Sequence, residues 1–286
     1  MEPGSSPTVR RILLGSQLRR MREAKGITRE DAGYLIRASE SKISRMELGR
    51  VGFKERDVID LLGMYGVDAA AERDALVALA REANAPGWWH KYTDVLPDWF
   101  QTYVGLEEAA SLIRVYEVQF IPGLLQTADY ARAVIALGQQ GAPEEEIERR
   151  VSIRMTRQEL LAKQDGPRLW AVVDEAALRR PIGGLAVIRA QIEQLIESTQ
   201  DARITLQVLP FRSGGHAAEG GAFTILRFPE TDLPDVVYLE QLTSAIYLDK
   251  REDAETYTEV MERLSVESEP PDRSADILRD VLLSLS

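Results

Sequence analysis

Apolar residues recur with a helical period through the first 85 positions. Ile12, Leu14, Leu18 and Met21 mark a helix that Gly26 stops after Lys25. Thr28 can cap a second helix reaching Ile36, with Asp31 three residues on as a variant of the capping box. Ser39 can cap a third, through Leu48, which Gly49 ends. A fourth is predicted from Lys54 to Tyr65, stopped by Gly66. A fifth, rich in Ala, Glu, Arg and Leu, follows from Ala69 to Asn84. Ala85-Pro86-Gly87 breaks the pattern. The spacing therefore predicts a helical domain over residues 9–85 and a second domain over residues 86–286.

The second domain opens with aromatic residues at Trp88, Trp89, Tyr92, Trp99, Phe100 and Tyr103. Helices are predicted over 102–118, 127–137 and 143–163. Residues 168–174 form a short apolar run like a buried strand, and 185–198 return to a helical period. Ile204, Leu206 and Val208 alternate with polar residues, as a half-buried strand does. Glycines at 214, 215, 220 and 221 bracket a loop before further strands at 222–228, 235–240 and 245–248. A helix over 254–264, a linker at 267–272 holding Pro270-Pro271, and a final amphipathic helix capped by Ser274 complete the chain. The fold class is a mainly α helix-turn-helix domain followed by an α+β domain with a small sheet clustered late.

Charge changes this picture more than composition does. The net charge is -11, which argues against nucleic acid at first sight. Yet residues 1–50 hold 11 Lys or Arg against 6 Asp or Glu, whereas the remainder holds 24 against 40. Phosphate binding needs only a local positive face, and an acidic second domain confines contact to the head. There is no cysteine, so disulfides and thiolate metal sites are excluded. The N-terminus lacks a signal-peptide pattern and no run of about 18 apolar residues occurs, so a cytoplasmic protein is expected.

Residues 28–48, TREDAGYLIRASESKISRMEL, carry the clearest chemistry. Two short helices meet across a tight turn, with Gly33 as the small residue at their crossing. Ile43 and Met46 lie three apart and define a buried face on the third helix. Glu40, Ser41, Ser44 and Arg45 then project the other way. A major groove admits such a helix, read mainly near its N-terminus. Arg45 suits base reading, because its fork matches guanine O6 and N7. Lys42 suits a phosphate, and Ser39 and Ser41 suit either.

The stretch SKISRMELGR resembles the phage-repressor-like (XRE) helix-turn-helix family. That resemblance implies a buried structural pair between Arg22 and Glu47. It also implies phosphate contacts at Thr28 and Arg29 and base-edge contacts at Glu40, Ser41 and Arg45. One departure stands out: Arg37 occupies the turn position where the family usually has Gly. The rest of the chain resembles the C-terminal module of an antitoxin-like, XRE-linked group of actinobacterial regulators. The matching stretches include GWW at 87–89, YEVQFIPGLLQTADYARAV at 116–134, VVDEAALRRPIGG at 172–184 and LQVLPFRSGGHAA at 206–218. This second resemblance implies a regulator often encoded beside a small partner protein.

Catalytic signals are sparse. The only histidines are His90 and His216, and Asp174-Glu175 follows a strand; a two-histidine, two-carboxylate metal site is one reading, a strand end and a helix cap the plainer one. Gly183-Gly184 before a helix could cradle an anion but is commonly just a turn. Trp88, Trp89, Trp99, Phe100 and Tyr103 suit either a partner or ligand site or an interdomain core. The expected function is a sequence-specific, homodimeric transcription regulator on double-stranded DNA. Its second domain receives a signal from a small protein or a small-molecule effector. No catalytic residue, metal or cofactor is expected. The contrasting expectation is an enzyme with a DNA-tethering head.

Overall fold

The structure, a computed structural model, describes residues 6–230 and 233–285. The chain divides into two compact units. One comprises residues 6–91 with 101–109, the other residues 92–100 with 110–285.

Five helices build the first unit: α1 (Pro7–Ala24), α2 (Arg29–Leu35), α3 (Glu40–Glu47), α4 (Glu55–Met64) and α5 (Ala70–Ala83). The five predicted helices are all present. α1 starts earlier than its apolar pattern, because Ser6 caps it and Pro7 occupies its first position, where a missing N–H costs nothing. Leu14, Leu18, Ile36, Ile43, Met46 and Leu62 lie in one buried cluster. Each such side chain contributes about 1.5–3 kcal/mol by leaving water. The unit is completed by residues 101–109 of α6 (Asp98–Ala109), where the Gly105 carbonyl accepts from Ser6 Oγ at 2.5 Å.

The second unit is built on a six-stranded sheet. Its strands are β1 (Leu112–Glu117), β2 (Arg168–Asp174), β3 (Ile204–Leu209), β4 (Phe223–Arg227), β5 (Val236–Glu240) and β6 (Ala245–Leu248), in the order β3-β2-β1-β4-β5-β6. β1, β2 and β3 run parallel, and β4 to β6 form an antiparallel meander. Helices α7 (Ala128–Gly138) and α8 (Glu144–Ala162) carry the chain from β1 to β2. The short α9 (Glu175–Arg179) and α10 (Leu185–Ser198) carry it on to β3. α11 (Arg251–Glu267) lays Ala254, Met261 and Leu264 on the sheet face that holds Tyr116, Val172 and Val237. α12 (Pro271–Ser284) packs against α10 and β3.

The fold class agrees with the sequence patterns: a helical head, then α+β, with four of six strands between residues 204 and 248. Two local expectations are corrected. Residues 112–117 are the central strand and not the end of a helix. Leu112 to Glu117 is buried on both faces, Arg114 included, and such a run does not reveal its period. Ser274 does not cap α12 but lies fully buried inside it. Its hydroxyl accepts from Val208 N–H at 2.9 Å and donates to the Glu269 carbonyl at 3.1 Å.

Candidate nucleic-acid interface

α3 has one face in the core and one in water. Ile43 and Met46 are each 1% exposed and Glu47 only 5%, whereas Glu40, Ser41 and Arg45 are exposed. Lys42 and Ser44 are intermediate. Ser39 is the N-cap, its Oγ accepting from Lys42 N–H at 3.2 Å. Thr28 caps α2 in the same way: its Oγ1 accepts from Asp31 N–H at 3.1 Å and donates to Asp31 Oδ2 at 2.6 Å. Both caps are solvent-exposed, so each hydroxyl sits at the surface beside orphan helix N–H groups.

Beneath this surface lies an ion pair. Arg22 Nε donates to Glu47 Oε1 at 2.5 Å and Arg22 Nη2 to Glu47 Oε2 at 3.1 Å, a bidentate fork between α1 and the end of α3. Arg22 Nη1 donates to the Ile27 carbonyl at 2.8 Å. Arg29 joins from α2, its Nε donating to Glu47 Oε2 at 3.1 Å. One buried carboxylate thus ties three helices. The Glu47 hydrogen bonds raise the Arg22 pKa, and burial beside Glu47 pushes the Tyr65 hydroxyl up to about 12. Arg29, expected at a phosphate, is partly engaged in this tie, with a third of its side chain still accessible.

Lys42 is also engaged. Its Nζ lies 3.1 Å from Asp57 Oδ2 in the first turn of α4. A phosphate must compete with that carboxylate. Arg45, by contrast, has no ion pair among the described residues and is exposed. Two close approaches set the angle of α3. A Cβ on Gly33 would meet the Ala38 carbonyl at 2.7 Å, and one on Gly15 would meet the Met46 and Glu47 carbonyls at 2.4 and 2.6 Å. The first is legible in the helix-turn-helix spacing. Gly15 and Asp57 are not, because only the packed structure shows which helix approaches them. Tyr34, 87% exposed beside the turn, also carries no sequence signal for its position. The turn itself holds Arg37 at φ 55°, the only non-glycine in the left-handed region among the described residues.

A family model for a helix-turn-helix domain matches residues 13–76. The matched region begins within α1 and takes in α2, α3 and α4, and it makes the chain a DNA-binding regulator. A second model, a domain of unknown function (DUF5753), matches residues 100–280, more than half of the chain. The chain belongs to this family. No curated protein matches it, and neither does any solved structure.

The DUF5753 region has its polar residues at one edge of the sheet. Tyr116, Glu117, Asp174 and Glu240 lie at or near the carboxyl ends of β1, β2 and β5. His216 sits in the glycine loop between β3 and β4. Such an edge, beside the strand where connections reverse direction, is where open α/β sheets hold ligands. His216 Nδ1 accepts from Ala218 N–H at 3.2 Å, so the neutral ring carries its proton on Nε2. That nitrogen lies 3.1 Å from Tyr116 Oη, which in turn bonds Asp174. Burial and Asp174 together raise the Tyr116 pKa. On the opposite face Glu117 is pushed up to about 8 by burial and by Glu240, with Arg154 of α8 opposing. Asp174 Oδ1 caps α9 by accepting from Ala176 N–H at 2.8 Å, and Glu175 accepts from Phe211 N–H at 2.9 Å. Among the described residues no three His, Asp or Glu side chains converge as a metal site, and His90 lies in the other unit. Gly184 precedes α10 and Gly183 packs on Val187. No helix among the described residues is long and apolar enough to cross a membrane.

The five aromatic candidates are divided between the two units. Trp88, Trp89 and Tyr103 belong to the first unit; Trp99 and Phe100 belong to the second. Trp89 and Tyr103 are only 3% and 6% exposed, so neither is an exposed anchor. Trp88 meets Trp89 edge-on at 5.9 Å, Trp99 meets Phe100 at 5.8 Å, and Arg157 lies over the Phe100 ring at 5.1 Å.

Proposed function

We propose that this chain is a sequence-specific, XRE-type transcription regulator. It binds DNA as a homodimer and passes a signal from its DUF5753 domain to its helix-turn-helix head. α3 enters the major groove, Arg45 reads a base edge, and Glu40 and Ser41 flank it. Thr28, Ser39 and Ser44 contact the backbone, and Lys42 reaches phosphate by leaving Asp57. The observation that carries this is the division of α3, whose polar side is exposed while its other side is clamped by Arg22 and Glu47. A clamped helix presents its side chains without an ordering cost at the moment of binding. Selection of bound sequences from random duplexes tests it. One enriched half-site pair for the native chain, with relaxed base choice in Arg45→Ala, is the expected result; no enrichment removes the sequence-specific reading.

The signal is a small partner protein or an effector, in keeping with the antitoxin-like group that the second domain resembles. The polar edge of the sheet supports that input. Its chemistry also favours a second reading, an enzyme with a DNA-tethering head, because Tyr116, His216 and Asp174 form a connected proton path at the strands' carboxyl ends. Tyr116→Phe separates the two. An input site loses effector response with DNA affinity intact, whereas an enzyme loses turnover of whatever metabolite the native chain converts in an untargeted extract screen.

A further inference from the structure

β3 and β4 are consecutive in sequence but stand three places apart in the sheet, about 14 Å at the usual strand spacing, with β2 and β1 between them. β3 ends and β4 begins at the same edge, because β4 runs against β1. Residues 210–222 therefore pass over the carboxyl ends of β2 and β1, where Asp174 and Tyr116 lie. The two halves of this connection are held differently. At its start Phe211 N–H donates to Glu175 Oε2 at 2.9 Å, Ser213 Oγ donates to the Glu267 carbonyl at 3.0 Å, and Arg212 pairs with Glu269. From Gly215 to Gly220, no backbone group bonds a strand or a helix among the described residues. The polar tie printed on this segment is a side chain's, His216 Nε2 to Tyr116 Oη at 3.1 Å. Beside it Ala218, 7% exposed, is sunk into the apolar cluster of Tyr116, Val172 and Phe223. Glycine flanks the segment at 214–215 and 220–221. Gly214 has φ 69° and Gly221 φ 89°, and a Cβ at either would meet nothing within 4 Å. Close packing does not call for these glycines; the turn of the backbone at each end does.

We propose that residues 214–221 are a lid over the carboxyl edge of the sheet, hinged at its two glycine pairs and latched by His216 on Tyr116. The proposal rests on the reading of that edge as the input site and gives it an entrance. With the lid down, Tyr116 is fully buried, its hydroxyl accepting from His216 and donating to Asp174. With the lid up, His216 and Ala218 leave together. A phenol and a carboxylate then face solvent beside the Phe223 ring, whose centroid lies 6.0 Å from that of Tyr116. The anchors on residues 211–213 stay in place, so the chain turns at Gly214 and not at the end of β3. The latch is light, because a neutral hydrogen bond is exchanged for one to water when it opens. Segments with few buried apolar contacts and few backbone bonds open well below the cost of global unfolding, and this one has a single buried side chain, Ala218.

The absence of cysteine gives a direct test in the full-length chain. Ala218→Cys places a thiol under the lid, and Ala202→Cys places one at an exposed position. The buried thiol is expected to react with a maleimide at least tenfold more slowly than the exposed one. It is also expected to react at least tenfold faster than the same variant unfolds, the unfolding rate being taken from denaturant jumps followed by circular dichroism. Adding His216→Ala removes the latch. It is expected to speed labelling at position 218 about fivefold, with the circular dichroism spectrum and unfolding rate unchanged. Labelling of Ala218→Cys at the unfolding rate, or at the rate of Ala202→Cys, overturns the lid. Labelling that His216→Ala leaves unchanged overturns the latch and the proposal with it. Each of these results leaves the input reading standing, since the effector response of Tyr116→Phe is measured apart from labelling. A lid that opens as expected while Tyr116→Phe keeps its effector response leaves the lid and removes the input reading.

Discussion

The head and the DUF5753 domain place their charged groups in opposite ways. In the head the buried charges are paired and the exposed ones face outward: Arg22 and Glu47 are clamped, and Arg45 is left to solvent. In the second domain a half-buried carboxylate, Glu117, lies within reach of a like charge, the exposed Glu240, at the carboxyl ends of the strands. A buried matched pair fixes geometry. A half-buried carboxylate beside a like charge stores a response, because its protonation depends on what sits beside it. The head is built to hold a shape, and the second domain is built with a group whose charge can change.

The largest expected effect breaks the head's clamp. Glu47→Ala takes from Arg22, 7% exposed at its side chain, its buried partner, leaving it the exposed Glu23 and the Ile27 carbonyl, and releases Arg29. Leaving one partner of a buried pair uncompensated costs about 3–5 kcal/mol. Chemical denaturation followed by a probe in the head should show that loss; an unchanged midpoint means the tie of three helices is energetically idle.

The mismatched pair makes a prediction of the opposite kind. Glu117 titrates at about 8 when folded against an ordinary carboxylate value when unfolded, so the folded state holds its proton more tightly. Its contribution to stability is full below the unfolded value near 4.5 and is lost as pH rises through about 8. Glu117→Gln keeps the neutral form at all pH. It should remove this loss, raising stability at pH 8 by roughly 1–3 kcal/mol after allowance for solvent and relaxation, and leaving pH 4.5 nearly unchanged. A native and a variant chain with parallel pH–stability curves would falsify the assignment of the proton to Glu117.

The head's exposed side answers to smaller changes. Arg45→Ala should weaken binding to the selected site by about 1–3 kcal/mol and relax base choice. Lys42 behaves differently, because Asp57 already holds it at 3.1 Å. Asp57→Asn should free the amine, strengthen binding to all sequences and steepen the salt dependence by about one counterion. Titrations at two salt concentrations distinguish these, and a flat response to Asp57→Asn means that Lys42 does not meet phosphate.

The head was far more legible in sequence than the domain behind it. Helix stops at Gly26, Gly49 and Gly66 and caps at Thr28 and Ser39 are local signals, and local signals survive in a single sequence. β1 was misread because a strand covered on both faces has no alternation to display. Ser274 was misread because a serine before an apolar run resembles a cap, while its true partner, Val208, lies 66 residues away. The same limit hid Asp57 as the partner of Lys42 and Gly15 as the seat of α3. The pairing of His216 with Tyr116 joins residues 100 apart in the sequence. Tertiary partners of polar groups are the part that spacing does not encode.

The smallest effect concerns the turn that holds Arg37. Arg37 has φ 55°, in the region where a side chain crowds the following carbonyl. Holding an L residue there costs about 1–2 kcal/mol relative to glycine. Glycine returns part of this through the greater entropy it gives the unfolded chain, about 0.4–1 kcal/mol. Arg37→Gly should therefore stabilise the head by up to about 1 kcal/mol, a shift of a few degrees in its melting midpoint. The substitution also removes an exposed cation next to Ala38 and the start of α3, so the salt dependence of DNA binding should fall slightly if that guanidinium lies near phosphate. A stabilised head with unchanged DNA binding means the arginine is tolerated strain. A stabilised head with weaker binding means the strain is kept for the contact. A destabilised head contradicts both and shows that the Arg37 side chain itself holds the turn.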